Sequence, residues 1–67
     1  MTRYYIDTST NNDFDAVIRF LHSTQIPIGD RNKLKLVVSA ELTDAQLEEL
    51  QRLPLEEPLS IGTTPLG

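Results

Sequence analysis

Cysteine is absent from this sequence, which removes disulfide bridges and thiolate metal sites as supports for the fold. Histidine occurs once, at His22. A zinc site would therefore need an unusual carboxylate set, and a catalytic histidine would lack a serine or aspartate at a telling spacing. Apolar runs are short, and none has the length of a signal-peptide core or a membrane span. Glycine is scarce, at three residues. The stretch Gly29-Asp30-Arg31-Asn32-Lys33 lacks the further glycines and the Lys-Ser/Thr ending of a phosphate loop. Aromatic residues are limited to Tyr4, Tyr5, Phe14 and Phe20, too few to interleave with basic residues for base stacking. These absences predict a non-enzymatic protein without metal or cofactor, without a membrane partner, in a cytoplasmic setting.

The chain has 67 residues, room for one domain, expected over residues 1–62 with a loose tail at 63–67. A domain of this size buries only about 60% of its unfolded surface. Association with a second copy is one physical route to covering more. The net charge of −4 is unevenly spread. Residues 1–36 hold Arg3, Arg19, Arg31, Lys33 and Lys35 against Asp7, Asp13, Asp15 and Asp30. Residues 37–67 hold Arg52 alone against Glu41, Asp44, Glu48, Glu49, Glu56 and Glu57. An acidic second half argues against direct nucleic-acid binding, which depends on neutralising phosphates. It suits a protein partner with a basic surface.

Alternation marks two strands. Over Arg3–Thr8, Tyr4, Ile6 and Thr8 fall on one side, and over Lys33–Leu42 so do Leu34, Leu36, Val38, Ala40 and Leu42. Between them, Phe14, Val17, Ile18 and Leu21 recur at helical spacing and predict a helix over about Asn12–Gln25. Asp13 and Asp15 lie in its first turn, and Asp15–Arg19 is an expected i,i+4 ion pair. Ile26-Pro27-Ile28-Gly29-Asp30 reads as the turn that follows. After the second strand, Thr43-Asp44-Ala45-Gln46 has the form of a capping box, with Leu42 and Leu47 as a hydrophobic staple. The helix it opens should reach about Leu53, with Glu48–Arg52 as a further ion pair. Leu59-Ser60-Ile61 is a candidate for a short third strand.

Strand, helix, strand, helix, short strand predicts a small two-layer α/β (or α+β) domain. Its sheet would be mostly parallel, in spatial order 1-2-3, with both helices on one face. The other sheet face would stay open, bearing Arg3, Tyr5, Asp7, Lys33, Lys35, Val37, Ser39 and Glu41. On it, Tyr5, Lys35 and Val37 are the candidate residues for self-association as a homodimer. Asp44, Glu48, Glu49, Glu56 and Glu57 form a candidate acidic surface for a protein partner. The leading expectation is a small interaction module, in one version an inhibitor occupying a surface of another protein. The alternatives are an assembly subunit whose function is self-association, and a binder of a small anion through Arg31, Lys33 and Lys35.

Overall fold

The computed structural model describes residues 2–63. Its elements in chain order are β1 (Thr2–Asp7), α1 (Asn11–Ser23), β2 (Ile28–Asn32), β3 (Val37–Leu42), α2 (Asp44–Gln51) and β4 (Ser60–Gly62). The four strands form one sheet in the order β2-β3-β1-β4, and every neighbouring pair is antiparallel. This overturns the expected mostly parallel sheet in order 1-2-3. Each helix still makes a crossover between parallel strands, but a strand running the other way is inserted between them. β3 separates β1 from β2, and β1 separates β3 from β4. The result is an α+β domain with the split β-α-β, or ferredoxin-like, order of elements.

The missing strand was concealed in two places. The stretch expected as a single strand over Lys33–Leu42 begins as a strand only at Val37, because residues 33–36 form a turn. The stretch expected as a turn at Gly29-Asp30 lies inside β2. There the register slips between Ile28 and Arg31, since Ile28 faces Ala40 while Arg31 faces Val38. Two residues thus stand opposite Ser39, a bulge that bends the edge strand. Glycine at this bulge has a steric reason: a Cβ on Gly29 would lie 2.7 Å from Ser39 Oγ. That hydroxyl accepts the Asp30 N–H at 2.7 Å.

Both helices begin on side-chain caps. Thr10 Oγ1 accepts the Asp13 N–H at 3.1 Å at the start of α1. At α2 the capping box is complete, with Gln46 N–H donating to Thr43 Oγ1 at 3.2 Å and Thr43 N–H to Gln46 Oε1 at 2.9 Å. A cap of this kind contributes about 1 kcal/mol. α1 ends in a Schellman motif, with Ile26 N–H donating to Leu21 O and Gln25 N–H to His22 O while Gln25 takes φ +58°. Leu21 and Ile26, the apolar pair that accompanies this motif, are both buried. α2 is shorter than expected and stops at Gln51.

The core lies on one side of the sheet. It joins Ile6, Val38, Ala40 and Leu42 from the strands to Phe14, Val17, Leu21 and Leu50 from the helices, with Ile26 closing one end. Each fully buried leucine, isoleucine or phenylalanine contributes about 1.5–3 kcal/mol by leaving water. Leu47 and Leu53 of the second-helix region, and Leu59 and Ile61 around β4, pack against this cluster while half-exposed. Among the described residues, no helix lies on the opposite sheet face.

Candidate functional site

The turn between β2 and β3 departs most from the sequence expectation. Asn32 and Val37 are the last paired residues of the hairpin, leaving Lys33-Leu34-Lys35-Leu36 as its tip. Asn32 Oδ1 accepts the Lys35 N–H at 3.1 Å, a side-chain closure of the turn typical of asparagine. Leu36 takes φ +58°, a left-handed conformation that costs a non-glycine residue about 1–2 kcal/mol. Its carbonyl accepts both Thr8 N–H and Thr8 Oγ1, each at 2.9 Å. With the turn tied at both ends, Leu36 leans against the core, whereas Leu34 turns outward and is 98% exposed. Leu34 is the one large hydrophobic residue classed as exposed among those described. Lys33 and Lys35 flank it, both exposed.

A second unpredicted feature joins the start of α1 to the loop before β4. Asp13 is buried, and its carboxylate accepts Glu56 N–H on Oδ1 at 2.9 Å and Glu57 N–H on Oδ2 at 3.0 Å. Asn12 Nδ2 adds a bond to Glu56 Oε1 at 2.9 Å. Charge-assisted bonds to backbone donors are among the stronger ones available. They fix a loop that has little helix or strand of its own. Between this loop, the end of α2 and β4 lies an open groove of about 810 Å³, lined by Leu53, Leu55, Leu59 and Ile61 with Glu56 and Glu57.

The helix-free sheet face keeps part of its expected membership. Arg3 faces Glu41, Tyr5 faces Ser39 and Asp7 faces Val37 across β1 and β3. All six residues share that face, and Tyr5 and Val37 are diagonal neighbours on it. Lys33 and Lys35 are not on it, because the turn carries them beyond the end of the sheet. The self-association set Tyr5, Lys35 and Val37 is thus split between the face and the tip. Arg3 Nη2 and Glu41 Oε1 lie 3.5 Å apart with about half of each side chain exposed, a geometry that adds little stability. This is the one ion pair found among the described residues. The expected Asp15–Arg19 and Glu48–Arg52 pairs are therefore not closed.

The acidic residues of the candidate surface are all exposed and are spread along the length of the domain. Asp44, at the start of α2, follows Leu42, which pairs with Thr2. Glu56 and Glu57 bond to Asp13 beyond Asp7, at the other end of β1. A six-residue strand separates these ends by about 17 Å. Glu48 and Glu49 lie between them on α2. Lys33 and Lys35 sit on the turn, while Arg31 lies beside the end of α1 in a shallow depression with His22, Gln25 and Pro27. Another depression, of about 400 Å³, is lined by Arg3, Ile28, Gly29, Glu41 and Gln46. Among the described residues, no group of three or more His, Asp or Glu is placed to hold a metal ion. None of their helices is long and apolar enough to cross a membrane.

No protein-family model matches the chain, and no curated protein or solved structure does so either. The order of elements alone supports many unrelated functions, so function has to be read from the surface just described.

Proposed function

We propose that this chain is a small, non-enzymatic protein-interaction module that occupies a surface of a partner through the Lys33-Leu34-Lys35 tip. The observation that carries this reading is Leu34, 98% exposed on a turn closed by Asn32 and Thr8. A lone exposed leucine is ordinary on protein surfaces. This one differs in being held on a tied turn, so little conformational entropy is lost when it is buried by a partner. The flanking lysines favour a pocket that is apolar within and acidic at its rim. The cysteine-free composition fits a cytoplasmic setting.

The test compares the full chain with Leu34→Asp as bait in extracts of the native host, with bound proteins identified by mass spectrometry. The reading expects bound proteins that Leu34→Asp loses, with both baits equally stable to heat. Identical protein sets on both baits, together with self-association that Leu34→Asp leaves unchanged, contradict it.

The assembly-subunit reading retains one observation in its favour. Tyr5 and Val37 are half-buried neighbours on a sheet face that no helix covers, and tyrosine is enriched where proteins meet. Charged residues at both positions should abolish oligomers if that face is the contact.

A further inference from the structure

The tip and the groove beside β4 are complementary in charge. The tip is a leucine between two lysines. The groove has a mixed lining, apolar at Leu53, Leu55, Leu59 and Ile61 and acidic at Glu56 and Glu57, and more of its exposed surface is polar than apolar. Leu34 is 98% exposed, so it does not fill the groove of its own chain. We infer that the partner is a second copy, and that two chains form a two-fold dimer in which each tip enters the other's groove. This rests on the reading of the tip as the interaction site and names what it docks into.

The two features lie at the same end of the sheet, on opposite sides of it. The turn precedes Val37, which pairs with Asp7, and Ser60 at the start of β4 pairs with Asp7 from the other side. The strand order places the tip at the β2–β3 side and the groove at the β4 side. A two-fold axis perpendicular to the sheet and just beyond this end exchanges left and right. It sets each tip over the opposing groove, so the contact is made twice and closes on itself. Lys33 and Lys35 then face Glu56 and Glu57 of the other copy. The Asp13 bonds hold the acidic loop in place, and the Thr8 and Asn32 bonds hold the tip, so both sides are ordered before they meet. A contact built on one leucine per tip is small, so a weak, concentration-dependent dimer is expected.

Sedimentation equilibrium over a concentration series, on the full chain and three variants, tests this. The wild-type chain should be dimeric at high micromolar concentration. Leu34→Asp, the pair Lys33→Glu/Lys35→Glu, and the pair Glu56→Lys/Glu57→Lys should each weaken dimerisation by about tenfold or more. Far-UV circular dichroism and melting temperature should stay close to wild type. Mixing the two charge-reversed pairs is the deciding arm. Each alone repels its own kind, whereas the mixture places an acidic tip on a basic groove and a basic tip on an acidic groove, and should dimerise again. A wild-type chain that stays monomeric to millimolar concentration overturns the second-copy assignment. A dimer that the tip and groove variants leave intact, or a mixture that stays monomeric, overturns it as well. If dimerisation fails while a host protein is retained by wild type and lost by Leu34→Asp, the tip reading stands without the second copy. If both fail, the tip reading falls too.

Discussion

Thr8 holds Leu36 twice. Its N–H and its Oγ1 both donate to the Leu36 carbonyl oxygen at 2.9 Å, across 28 positions of sequence. The two bonds offset the strain of a leucine at φ +58° and tie the tip of the β2–β3 hairpin to the end of β1. Thr8→Val keeps the shape and the backbone bond but removes the hydroxyl donor. It should lower the free energy of unfolding by about 1 kcal/mol, read as a lower urea midpoint at unchanged slope. Thr8→Ser keeps the hydroxyl donor and should recover most of that loss. Equal stability of the valine and threonine chains would show that the hydroxyl adds nothing.

Asp13 should be the most sensitive surface-proximal position. In Asp13→Asn one oxygen becomes an NH₂ group, which faces a backbone donor rather than accepting from it. The expected cost is about 1–3 kcal/mol. Amide hydrogen exchange localises the effect: Glu56 and Glu57 should lose protection in Asp13→Asn, while the amides of β1 and β3 exchange at rates set by global stability. Unchanged protection at Glu56 and Glu57 would rule out the carboxylate as the anchor of that loop.

Gln25 occupies a left-handed position that glycine adopts without penalty. Gln25→Gly should stabilise the protein by up to about 1 kcal/mol, raising Tm by roughly 4–8 °C for a domain of this size. A lowered Tm would mean that the exposed glutamine side chain contributes more than its backbone strain costs.

Gly29→Ala should act in the opposite direction. Its new Cβ meets Ser39 Oγ at 2.7 Å, and Ser39 is fully buried, so the bulge must shift or lose its Asp30–Ser39 bond. A cost of about 1–3 kcal/mol is expected. The double variant Gly29→Ala/Ser39→Ala should recover part of it, and a purely additive pair would show that the two positions are not coupled.

Of these four positions, Asp13 and Gly29 lie where the sequence was not legible, whereas other stretches were. The α1 stripe of Phe14, Val17 and Leu21 and the Thr43–Gln46 box are local signals, and each produced the structure it predicts. So did the even-numbered side of β3, where Val38, Ala40 and Leu42 are all buried. The hairpin was not legible because its turn keeps the alternation of a strand. Leu34 and Leu36 have the parity of Val38, and no glycine or Asn-Gly pair marks the reversal. The turn is carried instead by the Asn32 side chain and by a leucine in a conformation that leucine rarely adopts. Once that turn is missed, β2 is lost, Gly29 is read as a loop, and the insertion of β3 beside β1 cannot be inferred. The Asp13 anchor spans 43 and 44 positions, a separation over which no spacing rule operates. As a result the groove beside that loop had no sequence signal at all.

The most direct measurement is an amide NMR dilution series on the isotope-labelled wild-type chain, from millimolar to low micromolar concentration. Two-fold exchange of tips and grooves predicts concentration-dependent shifts in two clusters, Lys33–Leu36 and Leu53–Ile61, with Tyr5 and Val38–Glu41 unmoved. Shifts centred on Tyr5 and the open sheet face, or spectra that do not change with concentration, would contradict it.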